Sequence, residues 1–382
     1  MPLLKKRILK APMYSTSGVY VQEVPSGVRV ITAASTSTTV MIGAAMRGPL
    51  NKAVEIRSFP EFKKNFGELQ SRAELGYAAM QFFVNGGTSL IVVRTAQTLD
   101  AARLSKALKA LEEVKDFGLL LVPGLTDARL LSSVLAYARK RLAFVVIDAP
   151  QNLKTPDAAR LAIKQNKIPE TADGALYLPW LWIADPQNAG KLRLSAPGGS
   201  IAGVIARTDQ TRGVWKSPAG LEAVLKGVKA PAVEVPAADQ EVFNPLGLNG
   251  IRLLNGNALT VWGARTLQEV RGTRGEYRYL AVRRLSLLIE KSLTQGLSWV
   301  VFEPNDEPLW AQIRSSVESF FQTLFRSGAF QGASAREAYF VRCDRSTMTS
   351  RDIISGLIHV QTGFAPLKPA EFIVLSMTFK SA

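Results

Sequence analysis

Apolar positions change their spacing along the chain, and those changes mark out its elements. Between Gly18 and Ile31 (GVYVQEVPSGVRVI), Val19 and Val21 alternate with polar residues, Pro25-Ser26-Gly27 turns the chain, and Val28 and Val30 alternate again. A period of two predicts half-buried strand. A strand this close to the terminus, preceded by the loose segment 1–17, is placed to pair outside its own domain. Residues 39–45 (TVMIGAA) and 89–94 (SLIVVR) are short apolar runs that predict buried strands. Phe59–Phe66 and Leu75–Val84 have helical spacing, and Asn85-Gly86-Gly87 stops the second helix. From about 100 to 185 helix and strand alternate. Ala101–Val114, Ala128–Arg141 and Pro156–Gln165 read as helices; Gly118–Val122, Leu142–Asp148 and Ala175–Ile183 read as strands. Apolar strands alternating with helices predict a parallel sheet covered on both faces.

Residues 208–257 lose the period and are rich in Gly, Pro, Asn and Asp, which predicts an irregular connector over the surface. Ala258–Gly263 reads as the strand that opens a last unit. Tyr279–Leu297 is a helix with Leu280, Leu287, Leu288 and Leu297 on its apolar side, and with Arg283, Arg284, Glu290 and Lys291 outside. Pro308 opens another helix, whose Leu309, Ile313, Val317, Phe320, Phe321 and Leu324 recur every three or four residues before Gly328. Tyr339–Arg342 and Phe372–Phe379 alternate as strands. The expected division is an arm and strand over 1–31, a central α/β domain over 32–257, and a C-terminal α+β domain over 258–382 ending in an extended strand.

Composition narrows the function classes. At 382 residues the chain is long enough for two or three domains. No stretch reaches the roughly 18 apolar residues of a membrane span, and no apolar run follows the basic N-terminus, so neither membrane insertion nor a secretory signal is expected. The single cysteine, Cys343, leaves no intrachain disulfide and suits assembly in a reducing cytoplasm. A net charge of +16 attracts nucleic acid, an anionic membrane or an acidic protein. The basic residues are spread along the chain, which argues against a nucleic-acid tail.

The usual routes to chemistry are missing. One histidine, His359, and one cysteine offer no triad and no zinc set. A thiol in an alternating strand reads as buried and inert. Gly198–Gly203 is glycine-rich and opens a helix, where an anion has a natural seat, but its spacing is not that of a nucleotide loop. The carboxylates of Glu303, Asp306 and Glu307 read as complements to a helix dipole rather than as a metal or acid–base site. No cofactor or metal is expected.

Several segments, in order, resemble the contractile tail sheath protein family. Trp299–Arg314 (WVVFEPNDEPLWAQIR) is similar to the family's C-terminal domain, with Trp262–Thr266 (WGART) and YLAVRRLSLLIEKSLTQGL before it, and FVRCDRSTMTSRDIISG and GFAPLKPAEFIVL after it. Upstream, AGVIARTDQTRGVWKSPA, FNPLGLNGIR, FFVNGGTSLIVVR and the opening GVYVQEVPSGVRVITAASTSTTVMIGAAMRGP also resemble the family. The resemblance spans roughly 17–100 and 195–380; the middle matches in pattern alone. Residues 1–16, with Lys5, Lys6, Arg7 and Lys10, are more basic than the family's usual start.

The resemblance implies a central domain with a subtilisin-like fold and no protease triad, since His359 lies outside it, and a C-terminal sheath domain with extended arms. It further implies a homo-oligomer of stacked rings around an inner tube, with baseplate and tail terminator proteins as further partners, in a phage tail or phage-like injection particle. Arms that donate strands to neighbouring subunits would use Val19, Val21, Val28 and Val30 at one end and Phe372, Val374 and Phe379 at the other. Arg283, Arg284, Lys291, Arg314 and Arg326 are the candidates to face an acidic tube. An α/β hydrolase and a basic nucleic-acid-binding protein are the competing readings.

Overall fold

The computed structural model describes residues 29–254, 258–268, 275–367 and 373–380. Strand β1 (Thr39–Ala44) leads through β2 (Ala53–Ile56), α1 (Phe59–Phe66) and α2 (Glu74–Val84) to β3 (Leu90–Thr95). Then α3 (Ala101–Lys109), β4 (Leu119–Leu121), α4 (Ala128–Lys140), β5 (Phe144–Asp148), α5 (Pro156–Lys164) and β6 (Gly174–Leu178) alternate. Beyond them come β7 (Leu181–Ala184), β8 (Leu192–Ser195), α6 (Gly198–Arg212), β9 (Val228–Pro231), α7 (Ala237–Phe243), β10 (Leu248–Leu254) and β11 (Ala258–Val261). The C-terminal part holds α8 (Leu280–Gly296), α9 (Glu307–Arg326), α10 (Ala335–Ala338), β12 (Tyr339–Arg342), α11 (Ser350–Ile354), β13 (Leu357–Phe364) and β14 (Ile373–Lys380).

Eight strands form one sheet in the order β11-β10-β6-β5-β4-β1-β3-β2. The six inner strands run parallel, with Val40 opposite Ile91 and Leu120 opposite Val145; β2 and β11 are antiparallel edges. Alternation along each strand sends side chains to two cores. Val40, Ile42, Val93, Leu120 and Val145 meet α3, α4 and α5 on one face. Met41, Val92, Leu121, Phe144 and Tyr177 meet α1, α2 and α6 on the other. A parallel sheet so covered needs apolar residues at every position, which is why these strands read as continuous runs. The helices between them start where the sequence supplies a cap: Asp100, Asp127 and Thr155 each accept a backbone N–H of the first turn.

Two expectations change. The stretch 208–257 is not wholly a connector: it ends in β10, which lies beside β6 inside the sheet. The strand at 258–261 pairs with β10 and closes the large sheet rather than opening the C-terminal unit. That unit is a three-stranded sheet, β12-β13-β14, packed on α8 and α9. A third sheet, β8-β7-β9, flanks the large one.

Helices α2 and α6 pack closely because glycine lines their contact. A Cβ on Gly199 would meet the Ala78 carbonyl oxygen at 2.4 Å and its Cα at 2.5 Å. Alanine is favoured over glycine in a helix by at most ~1 kcal/mol, whereas overpacking costs about 1–3 kcal/mol. Gly199→Ala is therefore expected to lower stability by about 1–2 kcal/mol, read as a reduced melting temperature; an unchanged or raised one would show that the two helices part freely.

Candidate assembly interface

The N-terminal segment is tied to the C-terminal domain before it enters β1. Arg29 donates its backbone N–H to Ser316 Oγ at 3.0 Å, lies over the Trp299 ring at 4.2 Å and reaches Glu303 at 3.7 Å. Ile31 and Ala34 are buried in the C-terminal core, and Ala34 N–H donates to Ser292 Oγ at 2.9 Å. Val30, between these anchors, is 86% exposed and so belongs to no core among the described residues. Val19, Val21 and Val28 lie outside the described residues.

The last strand reaches the same domain. Strand β14 pairs antiparallel with β13 over eight positions, from Phe364 opposite Ile373, through Gly363 opposite Val374, to Leu357 opposite Lys380. In the single chain it thus completes its own sheet. Met377 and Phe379 pack partly against the C-terminal core, while Ser376 and Thr378 are exposed. The sheet order leaves the outer edges of β12 and β14 unpaired among the described residues, and such edges are templates for strands of another chain. Phe372 lies outside the described residues.

The tube-facing candidates divide. Arg284 is 3% exposed and forms a two-pronged ion pair with Asp209 of α6, itself 3% exposed, with a hydrogen bond of 2.7 Å. Its guanidinium also donates to the Thr36 carbonyl at 3.0 Å. Arg283 pairs with the buried Asp173, which Arg139 shares. Lys291 donates to the Phe117 carbonyl at 2.6 Å and lies 2.8 Å from Asp116. Burial pulls its ammonium below the ordinary lysine range, with Asp116 acting against the pull. These three side chains therefore turn into the molecule. They join α8 to the central domain and have no free charge to offer a partner, which corrects the expectation that they lie outside. Glu290 is half-buried. Arg314 is partly exposed, bonds the Cys343 carbonyl and reaches Glu307 at 3.3 Å. Arg326 is exposed at the end of α9.

The residues weighed for chemistry are all occupied otherwise. His359, on β13, sets Nδ1 2.8 Å from Thr378 Oγ1 and Nε2 3.6 Å from Asp352. Cys343 is fully buried, and burial pushes its thiol up to about 12. Asp306 caps α9 by accepting from Leu309 N–H at 3.1 Å, as the dipole reading expected. At the glycine-rich start of α6 the seat for an anion is filled from within: Asp148 accepts from Gly198 N–H at 2.6 Å and from Gly124 N–H at 2.8 Å. Burial pushes this carboxyl up to about 7 while both N–H groups oppose the rise. Among the described residues no group of histidine, cysteine and carboxylate side chains is placed to hold a metal ion.

The first described residues and the last strand converge on one small sheet and its helices. The sequence model of the phage tail sheath protein central domain matches residues 97–267, and that of the phage tail sheath C-terminal domain matches residues 274–380. The chain belongs to the phage tail sheath protein family. A tail sheath protein of Vibrio phage KVP40 is 26% identical over 188 residues, a match that covers 48% of this chain and 26% of that protein. The chain thus spans about a quarter of the length of that relative. Among solved structures, the sheath complex of the extracellular contractile injection system PVC, in its contracted state, matches with a TM-score of 0.77 and 28% identity, over 96% of this chain and 98% of that one. The contracted helical sheath of the anti-feeding prophage matches with a TM-score of 0.75 and 29% identity, over 95% and 99%.

Two outcomes are expected. Arg284→Ala strands Asp209 in the interior and should cost about 3–5 kcal/mol in denaturant unfolding, whereas Arg284→Met with Asp209→Leu should recover most of that loss. Equal losses in the two variants would mean that packing, not the charge pair, sets the cost. Cys343 should resist a maleimide in native protein at pH 8 and react fully once unfolded; prompt native labelling would contradict its burial.

Proposed function

We propose that this chain is the repeating subunit of a contractile sheath. Copies polymerise in stacked rings around an inner tube, and the sheath shortens to drive that tube through a target envelope. The observation that carries the reading is the near full-length match to two sheaths in the contracted state. Its physical counterpart is the convergence of both terminal segments on one domain. Strands that pass between neighbouring copies keep subunits connected while their bodies turn as rigid units. Val19, Val21, Val28 and Val30, and Phe372, Val374 and Phe379, are the proposed exchange positions. We divide the chain accordingly into the arm, the α/β body and the C-terminal sheath domain.

The subunit acts without catalysis; the work of contraction is stored during assembly. Its partners are further copies of itself, an inner tube protein, a baseplate and a tail terminator. Of the five basic candidates for the tube contact, Arg314 and Arg326 remain, the other three being engaged inside the molecule. Assembly takes place in the bacterial cytoplasm, and the finished sheath belongs to a phage tail or a phage-like injection particle. Among the described residues no group favours a hydrolase or a nucleic-acid-binding reading.

The test uses the full chain and its tube protein, viewed by electron microscopy. Full-length protein should form ordered ring stacks. Because Arg29 and Ile31 are anchors of the fold, deletion should stop at residue 28. That truncation should keep the melting temperature within a few degrees and yield no ordered polymer. Normal ring stacks from the truncated chain would rule out the exchange role of the N-terminal strand. Full-length protein that never polymerises would remove the sheath reading itself.

A further inference from the structure

The loop joining α8 to α9 combines backbone strain, exposure and tight anchoring. Phe302 has a φ of 75°, a left-handed backbone that a bulky residue adopts only under constraint. Its side chain is 82% exposed, so the strain is not compensated by burial within the chain. The loop cannot relax, because both flanks are held. Asn305 Nδ2 donates to the carbonyls of Ile353 at 3.3 Å and Leu357 at 3.4 Å, and its Oδ1 accepts from Trp310 Nε1 at 2.8 Å. On the other flank Arg29 stacks on Trp299 and reaches Glu303.

Further exposed apolar side chains adjoin these anchors. Val301 precedes Phe302 and is 40% exposed; Val30 follows Arg29; Ile354 follows the Ile353 carbonyl and is 88% exposed. Single exposed apolar residues are ordinary, but four gathered on one pinned loop and its immediate supports mark a contact.

We propose that this loop docks onto a second copy of the chain. An acidic partner is disfavoured by the carboxylates of Glu303, Asp306 and Glu307 at the rim of the loop. Position favours a copy. The loop holds Arg29, where the N-terminal segment reaches the folded body, and the proposed function assigns that segment to neighbouring copies; the inference rests on that reading. A phenylalanine on a pinned backbone has only its two side-chain torsions to give up on binding, which suits an interface anchor.

The strain supplies a discriminating test in the full-length protein. In Phe302→Gly the backbone relaxes, since glycine tolerates this φ, and the ring is lost. Stability and assembly should then part company. The melting temperature is expected to hold or rise, while self-association measured by sedimentation velocity weakens at least about tenfold. Ile354→Ser should weaken it in the same direction. A Phe302→Gly chain that assembles at the wild-type concentration overturns the inference and leaves the sheath reading standing. A fall in both stability and assembly also overturns it, since the loop is then only structural. Wild-type protein that never associates overturns the reading beneath it. A photoreactive phenylalanine at position 302, in assembled particles, should cross-link to a second copy; a cross-link to another component alone overturns the choice of partner.

Discussion

Helix α8 carries two arginines and a lysine toward the interior, and the relation between the two halves of the molecule depends on where their charges end. Removing such groups from water costs several kcal/mol each unless a partner compensates well. Arg284 meets both oxygens of Asp209, Arg283 shares Asp173 with Arg139, and Lys291 meets Asp116 and a carbonyl. Each acid comes from a different part of the central domain. One rotation and one axial position of α8 satisfy all three pairs together. The apolar side chains reinforce that setting: Leu280 and Leu287 belong to the central core, while Leu285, Ile289 and Leu293 belong to the C-terminal one. The two domains share a helix rather than abut across a surface.

That sharing has a mechanical consequence. The N-terminal segment is bound to α8 and α9 through Ser292 and Ser316, and to the loop between them through Trp299; the C-terminal strand runs along eight pairs of β13. A displacement imposed at either terminal segment enters the C-terminal domain first. It passes to the large sheet through α8, whose charge pairs oppose sliding and whose apolar residues oppose separation. A body without a soft joint turns as a whole. In the polymer we propose, this lets rotation of the subunits, rather than bending within them, take up a change of length.

Much of this was legible in the sequence, for identifiable reasons. Buried parallel strands are apolar at successive positions, so LIVVR and FVVID announced themselves. Apolar residues three and four apart marked α3, α4 and α5. Strand β10 escaped because LNGIRLL holds Asn249 and Gly250; there Asn249 Nδ2 donates to carbonyls of Leu176 and Arg265, partners that only the tertiary structure brings near. The inward charges of α8 escaped for a similar reason. A basic residue on a helix reads as solvated unless its acid is known, and Asp209 lies 75 residues from Arg284, Asp173 110 from Arg283. The left-handed backbone of Phe302 has no local signal at all, since glycine or asparagine would be the usual choice at such a position.

The same pairing of polar groups recurs where such folds commonly bind ligands. Open α/β sheets bind ligands in the crevice beyond the carboxyl ends of their strands. Here the part of that region beside β5 is filled by the chain's own polar groups. Asp148, at the end of β5, takes the N–H groups of Gly124 and Gly198 that an incoming anion would need. Glu74 takes Arg193, Ser195 and the N–H of Ala196. Asp185 takes Tyr77, Asn188 and the N–H of Gln187. Gly198 and Gly199 keep the approach close: a Cβ on the first would meet Asp148 at 2.7 Å. Groups that elsewhere would wait for a substrate are engaged with each other, and the result is stiffness. For a subunit that we propose moves as one piece, that is the more useful outcome of the same architecture.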